Sequence, residues 1–139
     1  MATLERAIGI AAEAHVGQVD KAEQPYILHP IRVMQAQTTD AARIVGVLHD
    51  VVEDTDYSFD DLRQEGFGDE VIDALHAVTR RSEETHEEFI QRVVAAGPIA
   101  KSVKQADLIN NCDLDRISEP RQQDRDRVAR HQAMLNKYF

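Results

Sequence analysis

A single cysteine, Cys112, and no tryptophan occur in the 139 residues. One thiol excludes an internal disulfide and a cysteine-rich zinc site. Cys112 lies near an expected helix end and reads as a small packing residue. Aromatics make up only 5% of the chain, and the apolar residues are mainly Ala, Val, Ile and Leu. That balance favours packed helices over a β-sandwich. No apolar run approaches the ~20 residues that span a bilayer. No basic segment followed by an apolar stretch opens the chain, so a cytoplasmic address without a membrane partner is expected. Positive charge is also scarce: 16 Lys and Arg stand against 25 Asp and Glu, for a formal charge of −9. An acidic surface argues against general nucleic-acid binding, which rests on neutralising phosphates. A small phosphorylated ligand remains open, since it needs only a local basic patch or a metal.

What is present is helical periodicity. The length suits one domain, residues 1–139, with a proper core. Residues 3–17 place Leu4, Ala7, Ile8, Ala11 and Ala14 on one stripe, and Gly17 ends the pattern. The polar stretch 18–28 carries Pro25 and is expected to be a loop, with Pro30 in the first turn of the next helix. Asp40 is the expected N-cap of a helix that continues through His49 and Asp50. Ser58 with Asp61 resembles a capping box. Helices are expected near 69–80 and 83–96, and Gly97-Pro98 punctuates the chain before another that carries Asp107. Pro120 precedes a last, highly charged helix, whose mixed signs suit a solvated face. No convincing strand, repeat or low-complexity stretch is found.

The run Leu48-His49-Asp50-Val51-Val52-Glu53-Asp54 carries the chemistry. Ile44, Val45, Val47, Leu48, Val51 and Val52 around it read as core, where ionisable groups are costly unless compensated. A divalent cation compensates an imidazole and a carboxylate together. Helical spacing would put His49 above Glu53 and Asp50 above Asp54 on one helix. The plainer alternative is a solvated acidic helix end. Two further segments carry unusual residues. One runs from His15 to His29-Pro30 through Asp20-Lys21. The other is Lys104-Gln105-Ala106-Asp107 followed by Asn110-Asn111.

His29, then His49-Asp50, then the distant Asp107 resemble the order of the HD-domain metal-dependent phosphohydrolases. "AHVGQ", "PYILHP", "LHDVVEDT" and "KQADLINN" narrow the resemblance to the alarmone-hydrolase branch. That branch holds the RelA/SpoT hydrolase domains and the Mesh1-like small alarmone hydrolases. The resemblance spans about residues 5 to 117 and implies an all-α HD-type helical bundle with a central metal site. It implies His29, His49, Asp50 and Asp107 as metal ligands. Glu53 and Asp54 would orient and activate the attacking water. Lys21, Asn111 and, with less support, Arg116 would contact substrate. Mn²⁺ is the expected ion, and such ligands also accept Zn, Fe, Co or Mg. The implied reaction is hydrolysis of a nucleotide, with guanosine 3′,5′-bis(diphosphate) losing its 3′-pyrophosphate as the leading case. A nucleotide phosphatase acting on NADPH or a mononucleotide, or a nucleotide-binding domain without turnover, are the alternatives. With no synthetase segment after Phe139, hydrolysis without synthesis is expected.

Simpler roles stand beside these. Lys21 could be an ordinary loop lysine, Asn111 a helix cap, and Asp107 a buried partner of Lys104 or an arginine. His15 is expected to hydrogen-bond in the core or line the cavity. Tyr26 is expected to pack and fix the turn before His29. His76, His86 and His131 show no partner pattern. Two positions depart from the family pattern. Asp20 stands where a basic residue is usual before the lysine, and Glu23 where a glycine is usual before the proline. Both make the entry loop more acidic.

Overall fold

The computed structural model describes residues 2–114 and 117–139. Those residues are helical and contain no strand; one isolated antiparallel bridge joins Val19 and Pro25. In chain order the helices are α1 Leu4–Ala14, α2 Leu28–Gln35, α3 Asp40–Leu48, α4 Val51–Asp54, α5 Phe59–Gln64, α6 Asp69–Val78, α7 His86–Ala95, α8 Pro98–Asn110 and α9 Gln122–Tyr138.

Helix α3 is the centre of the packing. Ala42, Ile44, Val45, Gly46, Val47 and Leu48 are all buried, so this short helix is apolar nearly all round. It packs against α1, α2, α6 and α8. Gly46 sets the closest approach: a Cβ there would lie 3.1 Å from the Met34 Cα and 3.2 Å from its backbone nitrogen. The missing side chain lets α2 lie directly against α3. That contact brings His29 of α2 beside His49 at the end of α3.

The expected helix ends are largely observed, with two corrections. Thr39, not Asp40, is the N-cap of α3, its hydroxyl accepting from the Ala42 amide at 3.2 Å. Asp40 is instead the first helical residue, where its charge still complements the helix dipole. The single helix expected through the His-Asp pair is interrupted there. His49 Nδ1 donates to the Gly46 carbonyl at 2.6 Å, the acceptor that the amide of residue 50 would use in a continuous helix. Asp50 (φ −102°, ψ −2°) then serves as the N-cap position of α4. Other caps follow the sequence. Ser58 with Asp61 and Thr85 with Glu88 form reciprocal capping boxes, and Pro98 occupies the first turn of α8 behind Gly97.

Arg92 ties α7 to the end of α6. It donates to both Glu84 carboxylate oxygens at 2.7 and 2.8 Å, and to the Ala77 and Thr79 carbonyls at 3.0 Å each. Gln37 links α2 to α8, accepting from the Ser102 hydroxyl at 2.6 Å. The second of these ties joins the two helices that carry His29 and Asp107.

Candidate metal centre

Four side chains meet in the middle of the molecule. His29 comes from α2, His49 and Asp50 from the turn between α3 and α4, and Asp107 from α8. His29 Nε2 lies 2.9 Å from Asp107 Oδ1 and 3.7 Å from Asp50 Oδ2. His49 Nε2 lies 3.1 Å from Asp50 Oδ2 and 3.4 Å from Asp107 Oδ1. One ligand atom each from His29, His49 and Asp50 falls within 4.8 Å of the others. The outer nitrogens are engaged elsewhere. His29 Nδ1 lies 2.7 Å from Asn110 Oδ1, and His49 Nδ1 lies 2.6 Å from the Gly46 carbonyl. His49 Nε2 is buried without a hydrogen-bond partner among the described residues. Two inward imidazole nitrogens beside two carboxylates are a donor set that a divalent cation satisfies. The residues present therefore fit a metal ion.

Charge compensation accounts for how this cluster survives burial. Burial alone would lower the His49 pKa, yet Asp50 and Asp107 raise it well above the ordinary value. Burial alone would raise Asp107, but Lys104, His29 and His49 hold it well below the usual carboxylate range. Asp50 is lowered in the same way, its burial outweighed chiefly by His49. Lys104 Nζ is 2.7 Å from Asp107 Oδ2 and sits 4.8 Å above the Phe89 ring. The Tyr26 hydroxyl donates to Asp50 Oδ2 at 2.5 Å. Burial and the adjacent carboxylate together push that phenol far up.

The cluster floors a pocket of about 220 Å³ whose walls include Tyr26, Glu53, Arg80, His86, Lys104 and Asn111. A second cavity of about 400 Å³ shares Tyr26 and Asn111 with it and adds Lys21, Arg127 and His131. Glu53 and Asp54 are both exposed, and Glu53 lines the pocket. Partial loss of water and the charge of Asp50 raise both carboxyls above their ordinary values.

The other expected residues are placed as follows. Asn111 lies where the two cavities meet, and its Nδ2 donates to Asp107 Oδ1 at 3.0 Å. Lys21 faces the second cavity, not the metal pocket. Arg116 lies outside the described residues. Asp20 Oδ1 accepts from the Ala22 and Gln24 amides at 2.8 and 3.0 Å, so the carboxylate shapes the entry loop. Glu23 has φ +61°, a left-handed conformation that glycine adopts without strain. A glycine there, as the family resemblance implies, would relieve that backbone conformation.

His15 is buried, and its Nδ1 lies 2.8 Å from Gln18 Oε1. Gln18 Nε2 in turn donates to the Asp54 carbonyl at 3.1 Å. His76 stacks on Phe59 with ring centroids 3.7 Å apart. His86 and His131, which have no sequence pattern, are paired at 5.8 Å, one on each cavity wall. Tyr26 and Asn110 were not expected to touch the centre, whereas Lys104 was named as a simpler partner of Asp107 and does pair with it. Asn110 lies three residues from Asp107 on the same helical face, which is the one signal that could have found it.

A family model described as HD domain matches residues 7–135. The chain belongs to the HD-domain phosphohydrolase family. Among relatives of this HD-domain protein, a GTP pyrophosphokinase of Streptomyces coelicolor is 35% identical over 120 residues, 78% of the chain and 14% of that protein. A probable guanosine-3′,5′-bis(diphosphate) 3′-pyrophosphohydrolase of Synechocystis is 35% identical over 142 residues, 90% of the chain and 18% of that protein. The chain thus spans under a fifth of the length of these curated relatives. A solved structure of a metazoan ortholog of SpoT that hydrolyzes ppGpp superposes with a TM-score of 0.77 at 29% identity. It covers 100% of the chain and 94% of that structure. No helix among the described residues of the HD-domain protein is long and apolar enough to cross a membrane.

Proposed function

We propose that this protein hydrolyses a nucleotide with the help of a divalent metal, and that guanosine 3′,5′-bis(diphosphate), losing its 3′-pyrophosphate, is its substrate. The observation that carries the reading is the convergence of two imidazole Nε2 atoms with Asp50 and Asp107 on a pocket lined by the raised carboxyl of Glu53. His29, His49, Asp50 and Asp107 would hold the ion, with Mn²⁺ the expected one. When bound, it supplies Lewis acidity toward water and phosphate oxygens.

The chain's own residues then divide the work. Glu53 orients the attacking water and takes its proton; a carboxyl raised above its ordinary value is better matched to that task near neutral pH. Asp54, one residue on, shares the acid/base role and returns a proton to the ribose 3′ oxygen, which leaves as water adds to the ester phosphorus and pyrophosphate is released. Lys21 supplies positive charge in the adjoining cavity, and Asn111 reaches the sugar from the junction between the two. A site of two joined cavities suits a substrate longer than one phosphate. The relatives that act on ppGpp add support.

One observation favours a less charged nucleotide, such as NADPH or a mononucleotide. Asp20 and Asp113 line the cavity that holds Lys21, and Glu23, Glu119 and Asp124 line the space beside it. The deciding experiment strips the protein of metal, reloads it with Mn²⁺ and offers a panel of nucleotides. Metal-dependent pyrophosphate from the alarmone is the expected result. Orthophosphate from NADPH or a mononucleotide, with the alarmone intact, would replace the substrate. Nucleotide binding with no product under any metal would leave a binding domain.

A further inference from the structure

We propose that Asn110 is a positioning residue of the metal centre, fixing His29 in the tautomer that carries its proton on Nδ1; this rests on the metal reading above. Asn110 Oδ1 lies 2.7 Å from His29 Nδ1. A carboxamide oxygen can only accept, so Nδ1 must carry a hydrogen, and on metal binding Nε2 is the nitrogen left to give its lone pair. Nε2 is also the nitrogen that faces Asp107 Oδ1 at 2.9 Å and Asp50 Oδ2 at 3.7 Å.

The second imidazole is arranged the same way by a different acceptor. His49 Nδ1 meets the Gly46 carbonyl at 2.6 Å, and its Nε2 points inward without a hydrogen-bond partner among the described residues. His49 thus takes its outer acceptor from the backbone of its own helix. At His29 the carbonyl three residues back, that of Tyr26, accepts from the backbone amide at 3.0 Å instead of from the ring. The last residue of α8 supplies the missing acceptor from across the molecule, 81 positions away. The same helix carries Asp107, so one rigid element would deliver a ligand and orient another. Hydrogen bonds of this kind fix ring orientation and raise ligand basicity, and their loss costs about 10–100-fold in metal affinity.

The test is calorimetric titration of Mn²⁺ into metal-free wild type, Asn110→Asp and Asn110→Leu. Asn110→Asp keeps the acceptor and should bind as tightly as wild type or tighter. Asn110→Leu should bind about 10–100-fold more weakly. Equal affinity for Asn110→Leu, or an Asn110→Asp loss as large as that of Asn110→Leu, would overturn the assignment. Imidazole ¹H–¹⁵N spectra of the Zn²⁺-loaded wild type decide it independently, even if the leucine variant does not fold. A His29 proton on Nδ1 is expected; a proton on Nε2 overturns it. No uptake of Mn²⁺ or Zn²⁺ by folded wild type would instead contradict the metal reading itself.

Discussion

Lys104 Nζ lies 2.7 Å from Asp107 Oδ2, and both side chains are nearly buried, at 13% and 9% exposure. The pair is intrahelical, one turn along α8, and it offsets part of the negative charge that Asp50 and Asp107 place in the core.

Removing that lysine charge should therefore destabilise the metal-free protein. Breaking a buried pair costs ~3 kcal/mol. For a chain of this size, that corresponds to a drop on the order of 10 °C in melting temperature for Lys104→Met. Mn²⁺ should narrow the gap, because a cation among the same carboxylates takes over the compensation. Thermal unfolding with and without Mn²⁺ checks both parts. A variant that melts with wild type in the absence of metal contradicts this account of the core.

Gly46 makes a second prediction. A methyl group there would press on the Met34 backbone at 3.1 to 3.2 Å, and backbone cannot swing away as a side-chain tip can. Gly46→Ala should cost ~1–3 kcal/mol, the usual penalty of overpacking. It should also weaken metal binding, since the α2–α3 contact sets the spacing of His29 and His49. Unfolding midpoints and Mn²⁺ titration of the same sample separate the two effects. Unchanged stability would mean that α2 yields readily.

The Glu84–Arg92 pair predicts a pH dependence. Hydrogen bonds from Arg92 hold the Glu84 carboxyl down at about 2, against its ordinary 4.5. In that window the unfolded chain binds the proton and the folded one does not. The pair's contribution is thus complete above pH 4.5 and is lost as the pH falls toward about 2. Wild type should melt above Glu84→Gln at pH 6, and the difference should close progressively on acidification. A difference that stays constant from pH 6 to pH 2 would contradict the assignment.

Much of the fold was legible because its signals are local. The stripe of Leu4, Ala7 and Ala11, the capping box at Ser58, and the Gly97-Pro98 stop are each contained within a few residues. The continuous helix expected through His49 was overturned by a side-chain bond to Gly46, which periodicity does not register. The cluster of His29, His49 and Asp50 was legible through the resemblance, since nothing in the spacing of 29 and 49 says that they meet. The partners that orient it were not. Tyr26 looked like packing, and Asn110 was overlooked beside Asn111. The Tyr26–Asp50 bond exists only once the turn before α2 meets the end of α3, and the Asn110–His29 bond only once α2 packs on α8. His86 and His131 escaped for the same reason, being 45 positions apart in sequence and 5.8 Å apart in space.

The central claim separates the residues that hold a metal from those that move the proton. Metal content and turnover measured on the same preparations of Asp50→Ala and Glu53→Gln test it most directly. Asp50→Ala should lose both together. Glu53→Gln should keep its metal while turnover falls by roughly 10²–10⁴, the usual worth of a positioned acid/base group. Full activity in Glu53→Gln, or full metal occupancy in Asp50→Ala, would contradict the account.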